Sequence, residues 1–287
     1  LGRVMRPRPS PQQRWGHGMS ISPWSASRIS TDRRAAQGMA AAGVLAGRGG
    51  PAPFEDTCWI CPDVIRPGDP TAFCGLDSLG RGTRDLPDRR RGEDDAASGV
   101  DGVHLMTARY DDGHAVEVAV NEEFGAALAA RSVAARYALA LGQLPRILRL
   151  GVCQLVIHRG DQPFGGLPGV VLVHHGEGRQ LDADGFLEAA LFHEAVHAAL
   201  DAAEATSPGW LAAAEADGAH ISTSAAADPE AEDLAESALP AYAVLARMHR
   251  VDPEVAYRVR RTIPNRIAYL ARLGLAERPD AVLDLGA

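Results

Sequence analysis

Leu187-Glu188-Ala189-Ala190-Leu191-Phe192-His193-Glu194-Ala195-Val196-His197-Ala198-Ala199-Leu200 is the stretch on which the reading of this chain turns. Leu187, Ala190, Leu191, Ala198 and Leu200 recur at helical spacing and predict an amphipathic helix. On that helix His193 and His197, four apart, lie on one face a single turn from each other, close enough to share a cation. Glu194 sits beside the first imidazole, placed to reach a water on such a cation. Zinc lowers the pKa of its bound water toward neutrality, and a neighbouring carboxylate can take the proton during attack. A catalytic zinc uses three protein ligands, so two histidines demand a third.

The next long helix supplies candidates. Glu232 and Glu236, in Glu232-Asp233-Leu234-Ala235-Glu236-Ser237, are again four apart and share a face. A buried carboxylate pair is costly unless it meets a metal or a cation. Glu232 is assigned as the third ligand and Glu236 as a group that orients a ligand from behind. The exchange of these two roles is the alternative.

Around this centre the chain divides into three. Residues 1–52 are rich in Arg, Ser, Pro and Gly and predict a disordered leader or targeting segment. Arg33-Arg34 and the weakly apolar run to Gly47 resemble an export signal, so both a cytoplasmic and an exported protein fit. Residues 53–98 hold Cys58, Cys61 and Cys74 and predict an irregular lead-in with little secondary structure. Cys58-Trp59-Ile60-Cys61 has metal or redox spacing, but no second pair follows, and a local disulfide or free thiols fits as well.

Ordered signals occupy 99–275. Val103–Tyr110 and Ala115–Val120 predict a hairpin across Asp111-Asp112-Gly113-His114. Glu122–Leu141 predicts a helix, and Val152–His158 and Val170–His174 predict strands, with a loop at Asp161–Gly166. A helix capped by Asp182 or Asp184 is expected to run to about residue 202. A short helix opens at Pro208, Ser222–Pro229 reads as a loop, and helices follow over Glu230–Met248 and Asp252–Leu273, the last interrupted by Pro264. Strands first and helices afterwards predict an α+β fold with a small mixed sheet.

Composition limits the partners. The 287 residues are 46% hydrophobic and 23% charged, and every one of the 29 basic residues is Arg. No apolar run reaches the roughly 18–20 residues of a membrane-spanning helix. Net charge is −8, with about +7 in residues 1–48 and therefore about −15 in the rest. An acidic body argues against nucleic acid, whose binding rests on neutralising phosphates.

The spacing of His193-Glu194-Ala195-Val196-His197 and Glu232-Asp233-Leu234-Ala235-Glu236 resembles the zincin metallopeptidases with a glutamate third ligand. The chain is similar to the catalytic domain of anthrax-lethal-factor-like peptidases and, more closely, to a group of uncharacterised bacterial zincin-like proteins. The likeness extends over about residues 62–272. It includes Gly80–Arg84, Glu117–Gly125, Gly160–Gly166, Pro208–Ala213 and Thr262–Tyr269.

The resemblance implies that 99–275 is a catalytic domain that binds Zn2+ through His193, His197 and Glu232. Glu194 would be the base, and the substrate a peptide or protein. It implies that Asp201 accepts a hydrogen bond from a ligand histidine. It also implies that Val170–His174 is the sheet edge along which a peptide pairs, with His174 and His175 near the cleft as surface side chains. In one respect the chain departs from the pattern. Proteins that look like this carry a tyrosine shortly before the glutamate ligand, where Ser224-Ala225 stand here. Such an oxyanion donor is worth roughly 3–4 kcal/mol. His220 and Tyr242 are the candidates to replace it, and a zinc-binding protein without turnover is the other reading.

Overall fold

The computed structural model describes residues 51–57, 62, 64–91 and 98–277. Residues 1–50 of the leader, with its signal-like stretch, and Cys58 and Cys61 lie outside them. The described residues form an α+β fold around one mixed sheet of six strands: β1 (Phe73–Leu86), β2 (Ser98–Tyr110), β3 (Ala115–Val120), β4 (Gln154–His158), β5 (Gly165–Leu167) and β6 (Val170–His174). Their order across the sheet is β1-β2-β3-β4-β6-β5. The β1–β2–β3 meander and the β5–β6 pair are antiparallel, whereas β3, β4 and β6 run parallel. A parallel step needs a crossover, and α1 (Ala127–Gly142) with α2 (Arg146–Gly151) makes the one between β3 and β4.

Strand alternation sorts the core. Leu155 and Ile157 of β4, with Val171 and Val173 of β6, face the main core shared with the helices. Val156 and Leu172 turn to the other face and join Leu86, Val103, Leu105 and Ala119 in a smaller cluster.

The irregular lead-in expected over 53–98 is corrected by β1, a 14-residue strand. Its pairing with β2 shifts register at Phe73/Gly75, Ser78/Gly80 and Gly82/Arg84. It is an outer strand, and only Leu76 and Leu86 are buried in it. Bulges and one-sided exposure erase the alternation that announces a strand. The helix expected over Glu122–Leu141 is shorter, with a 3-10 turn at Glu122–Phe124 before α1.

The helix expected from Asp182 or Asp184 to about residue 202 is α4 (Leu187–Ala199), which starts later, and a separate helix that the sequence did not announce, α3 (His175–Ala183), fills the stretch before it. Asp184 closes α3 instead of opening α4. Gly185, at φ +79°, reverses the chain, and the amides of Gly185 and Phe186 bond back to the carbonyls of Asp182 and Leu181. This is the glycine-terminated ending common to helices. A π turn (Asp201–Ala205) follows, then α5 (Pro208–Asp217), α6 (Thr223–Ala227), α7 (Asp233–Ala246), α8 (Pro253–Thr262) and α9 (Pro264–Arg272). The loop expected at Ser222–Pro229 thus contains α6, a single turn capped by the Ser222 hydroxyl, which accepts from the Ala225 amide at 3.0 Å.

β6 is not the sheet edge. Residues 161–169 turn back so that Gly165, Gly166 and Leu167 pair with Leu172, Val171 and Val170, and β5 becomes the outer strand. β5 lies against α4 so closely that a Cβ at Gly166 would collide with the Glu194 carbonyl and the His197 Cβ. No helix among the described residues is long and apolar enough to cross a membrane.

Candidate metal centre

α4 is buried from Leu187 to Ala198, packed between the sheet and α7. Its two imidazoles point to the start of α7, where Glu232 holds the N-cap position and its carbonyl accepts the Glu236 amide at 2.9 Å. His193 Nε2 and His197 Nε2 are 3.1 Å apart. Glu232 Oε2 is 3.3 Å from the first and 3.6 Å from the second. Metal–ligand bonds of about 2.0–2.2 Å in a tetrahedron give ligand–ligand edges of about 3.3–3.6 Å. The three atoms therefore outline one face of a coordination tetrahedron and fit a metal ion.

Behind each imidazole stands a carboxylate. His197 Nδ1 bonds Asp201 Oδ2 at 2.7 Å, one turn further on. His193 Nδ1 faces Glu236 Oε1 at 3.6 Å. A proton held on Nδ1 by such a partner leaves the Nε2 lone pair for a cation. Glu236 faces the outer nitrogen and Glu232 the inner ones, so the geometry puts Glu232 on the ligand side and Glu236 behind.

Electrostatics favours positive charge at this spot. Burial pulls both imidazoles down, but the acids outweigh it. His193 is held up at about 9 by Glu232 and Glu194, and His197 well above its ordinary value by Asp201 and Glu232. Burial pushes Glu232 up, yet the two imidazoles hold it well below the usual carboxylate range. Glu236 is pushed up by burial and by Asp56.

Glu194 is fully buried, and neither of its carboxylate oxygens has a hydrogen-bond partner among the described residues. A partnerless buried carboxylate is expensive. Beside two imidazoles and Glu232, a metal ion carrying a water would satisfy it.

The other expected residues lie apart. Tyr242 is ten residues beyond Glu232 on α7, buried against Phe192 with Arg247 over its ring. His220 is part-exposed, its Nδ1 3.4 Å from Asp233 Oδ1. The amide and the hydroxyl of Ser224 both donate to the Glu55 carbonyl at 3.2 Å. His174 is corrected from a surface side chain. It is fully buried, stacked on His158 and 3.3 Å from Asp88. His175 is half-buried and bonds the Tyr137 hydroxyl at 2.9 Å.

Two groups of buried residues escaped the sequence reading. Arg266 donates to Asp233 Oδ2 at 2.9 Å, to Asp217 Oδ2 at 3.2 Å and to the Ala219 carbonyl at 2.8 Å, with Trp210 beneath its guanidinium. This pins the residue next to Glu232. The stretches around Trp210 and Arg266 were visible in the sequence, but their convergence was not. Thr57 donates its amide to Glu236 Oε2 at 2.9 Å across 179 positions, and no local signal marks it.

The chain matches no protein-family model, no curated protein and no solved structure.

Proposed function

We propose that the chain is a zinc metallopeptidase that hydrolyses peptide bonds, with His193, His197 and Glu232 as metal ligands and Glu194 as the general base. One observation carries this reading. The partnerless, buried Glu194 carboxylate adjoins three ligand atoms at tetrahedral spacing, each imidazole backed by an acid. Zinc there would acidify a bound water and polarise the scissile carbonyl. Glu194, free of competing hydrogen bonds, would take the proton of such a water and pass it to the departing amine. A peptide substrate is supported by β5, the outer strand beside α4, which offers backbone groups for strand addition.

A second reading is a zinc-binding protein without efficient turnover. The observation favouring it is Ser224, whose amide and hydroxyl are both used on the Glu55 carbonyl. Zinc content of the wild type and His193→Ala, with cleavage of a peptide library by the wild type and Glu194→Gln, separates the two. Stoichiometric zinc, cleavage by the wild type and none by Glu194→Gln is expected. Zinc without cleavage supports the second reading, and no zinc in the wild type overturns both.

A further inference from the structure

Residues 54–57 cross the back of the centre as a strap. Phe54 forms a parallel bridge with Ser222, and its carbonyl accepts the Thr223 amide at 2.9 Å. The Glu55 carbonyl accepts the Thr223 hydroxyl at 3.0 Å and both the amide and the hydroxyl of Ser224 at 3.2 Å. Thr57, fully buried, then closes on α7: its amide donates to Glu236 Oε2 at 2.9 Å and its hydroxyl to the Glu236 carbonyl at 2.8 Å. The Ser222 hydroxyl also reaches Glu236.

Glu236 is therefore gripped from the strap side through Oε2, and its other oxygen, Oε1, is turned to His193 Nδ1. A carboxylate on α7 has several rotamers, and burial forbids water from choosing among them. The bonds from residues far away in sequence make the choice. Thr223 and Ser224 give their amides and hydroxyls to the strap's carbonyls, whereas the Ser222 hydroxyl goes to the Ala225 amide and Glu236.

We infer that Thr57 is a positioning residue of the metal centre, so that docking of the 54–57 strap and loading of the metal are coupled. The inference rests on the metal reading above. Coupling of this kind is reciprocal: a docked strap raises metal affinity, and bound metal holds the strap in place. Partners behind a ligand histidine are typically worth 10–100-fold in metal affinity, and Thr57 acts one step further back.

The test uses the full chain and zinc, with affinity read by competition against a chromogenic chelator. Thr57→Val removes the hydroxyl that anchors the strap on the Glu236 carbonyl, at nearly constant volume, and keeps the amide bond to Oε2; looser docking of the strap is expected to weaken zinc by up to about tenfold, the lower end of that range. Thr57→Ser keeps the donor and is expected to stay within about twofold of wild type. Thr71→Val removes a hydroxyl that bonds the Leu139 carbonyl, away from the centre, and should leave affinity unchanged.

A second readout needs no variant. Hydrogen exchange of the peptide that carries Thr57 is expected to slow when zinc is added to the wild type. Wild-type zinc binding with Thr57→Val equally tight, or with exchange at Thr57 unmoved by zinc, overturns the coupling and leaves the metal reading standing. A wild type that binds no zinc removes the metal reading itself, and the coupling with it.

Discussion

His197 and Asp201 are joined by a 2.7 Å bond between Nδ1 and Oδ2 across a single turn, at the point where α4 gives way to a π turn. The bond faces away from the ligand atoms and presents Nε2 to them. Asp201→Ala is expected to leave the fold intact, since Asp201 is partly exposed, while metal affinity falls 10–100-fold. Chelator competition checks this. Unchanged affinity would show that the bond only closes a helix.

Metal removal has its own signature. A ligand at one hundred times its dissociation constant stabilises the folded state by about 2.7 kcal/mol. Excess zinc should raise the wild-type melting temperature, and a chelator should reverse the rise. His193→Ala should show no such shift in a thermal melt followed by circular dichroism.

Arg266 is buried between Asp217 and Asp233, each also buried. Removing one partner of a buried ion pair strands the others and costs about 3–5 kcal/mol. Arg266→Leu should therefore lower the urea midpoint strongly. Replacing Arg266, Asp217 and Asp233 together by apolar residues should cost less than Arg266→Leu alone. The reverse ranking would show that the charges themselves hold the α9–α7 contact.

Gly166 meets α4 in van der Waals contact. Gly166→Ala forces β5 and α4 apart, with an overpacking cost of about 1–3 kcal/mol. His197 sits at the contact, so the substitution is expected to weaken zinc as well as lower the melting temperature. An effect on stability with zinc affinity unchanged would separate the strand from the site.

His158, His174 and Asp88 make an acid-sensitive latch at the ends of β4 and β6. Burial lowers both imidazoles below 6.5, and Asp88 is held well below the usual carboxylate range by Arg90 against the push of burial. A histidine whose folded pKa is depressed contributes stability in full above its unfolded value. That contribution is lost as pH falls below about 6.5. Asp88 adds a loss of the same sign further down. Urea midpoints should fall from pH 7.5 to pH 5. In His158→Gln the fall should be smaller by up to one proton, about 1.4 kcal/mol per pH unit. Equal slopes in both proteins would remove His158 from the latch.

Local patterns made part of this protein legible. Ala115–Val120 read as a strand from its alternation and Val170–His174 from its short run of apolar, mostly β-branched residues, and both have those bounds in the structure. The four-residue spacings of His193 with His197 and of Glu232 with Glu236 needed only helical geometry to place each pair on one face. β1 was illegible because an outer, bulged strand carries no alternation. The break at Gly185 was illegible because a helix ending with glycine and a helix beginning with an acid share the same residues.

Periodicity, a property of neighbouring residues, was enough to show which side chains could act and to place His193 with His197 and Glu232 with Glu236 one helical turn apart. Tertiary structure alone decided which carboxylate faces an inner nitrogen and which an outer one, which strand forms the sheet edge, and that Thr57 lies against Glu236. Those relations join positions as far as 179 residues apart. They arise from packing of the whole core, which no window along the chain contains.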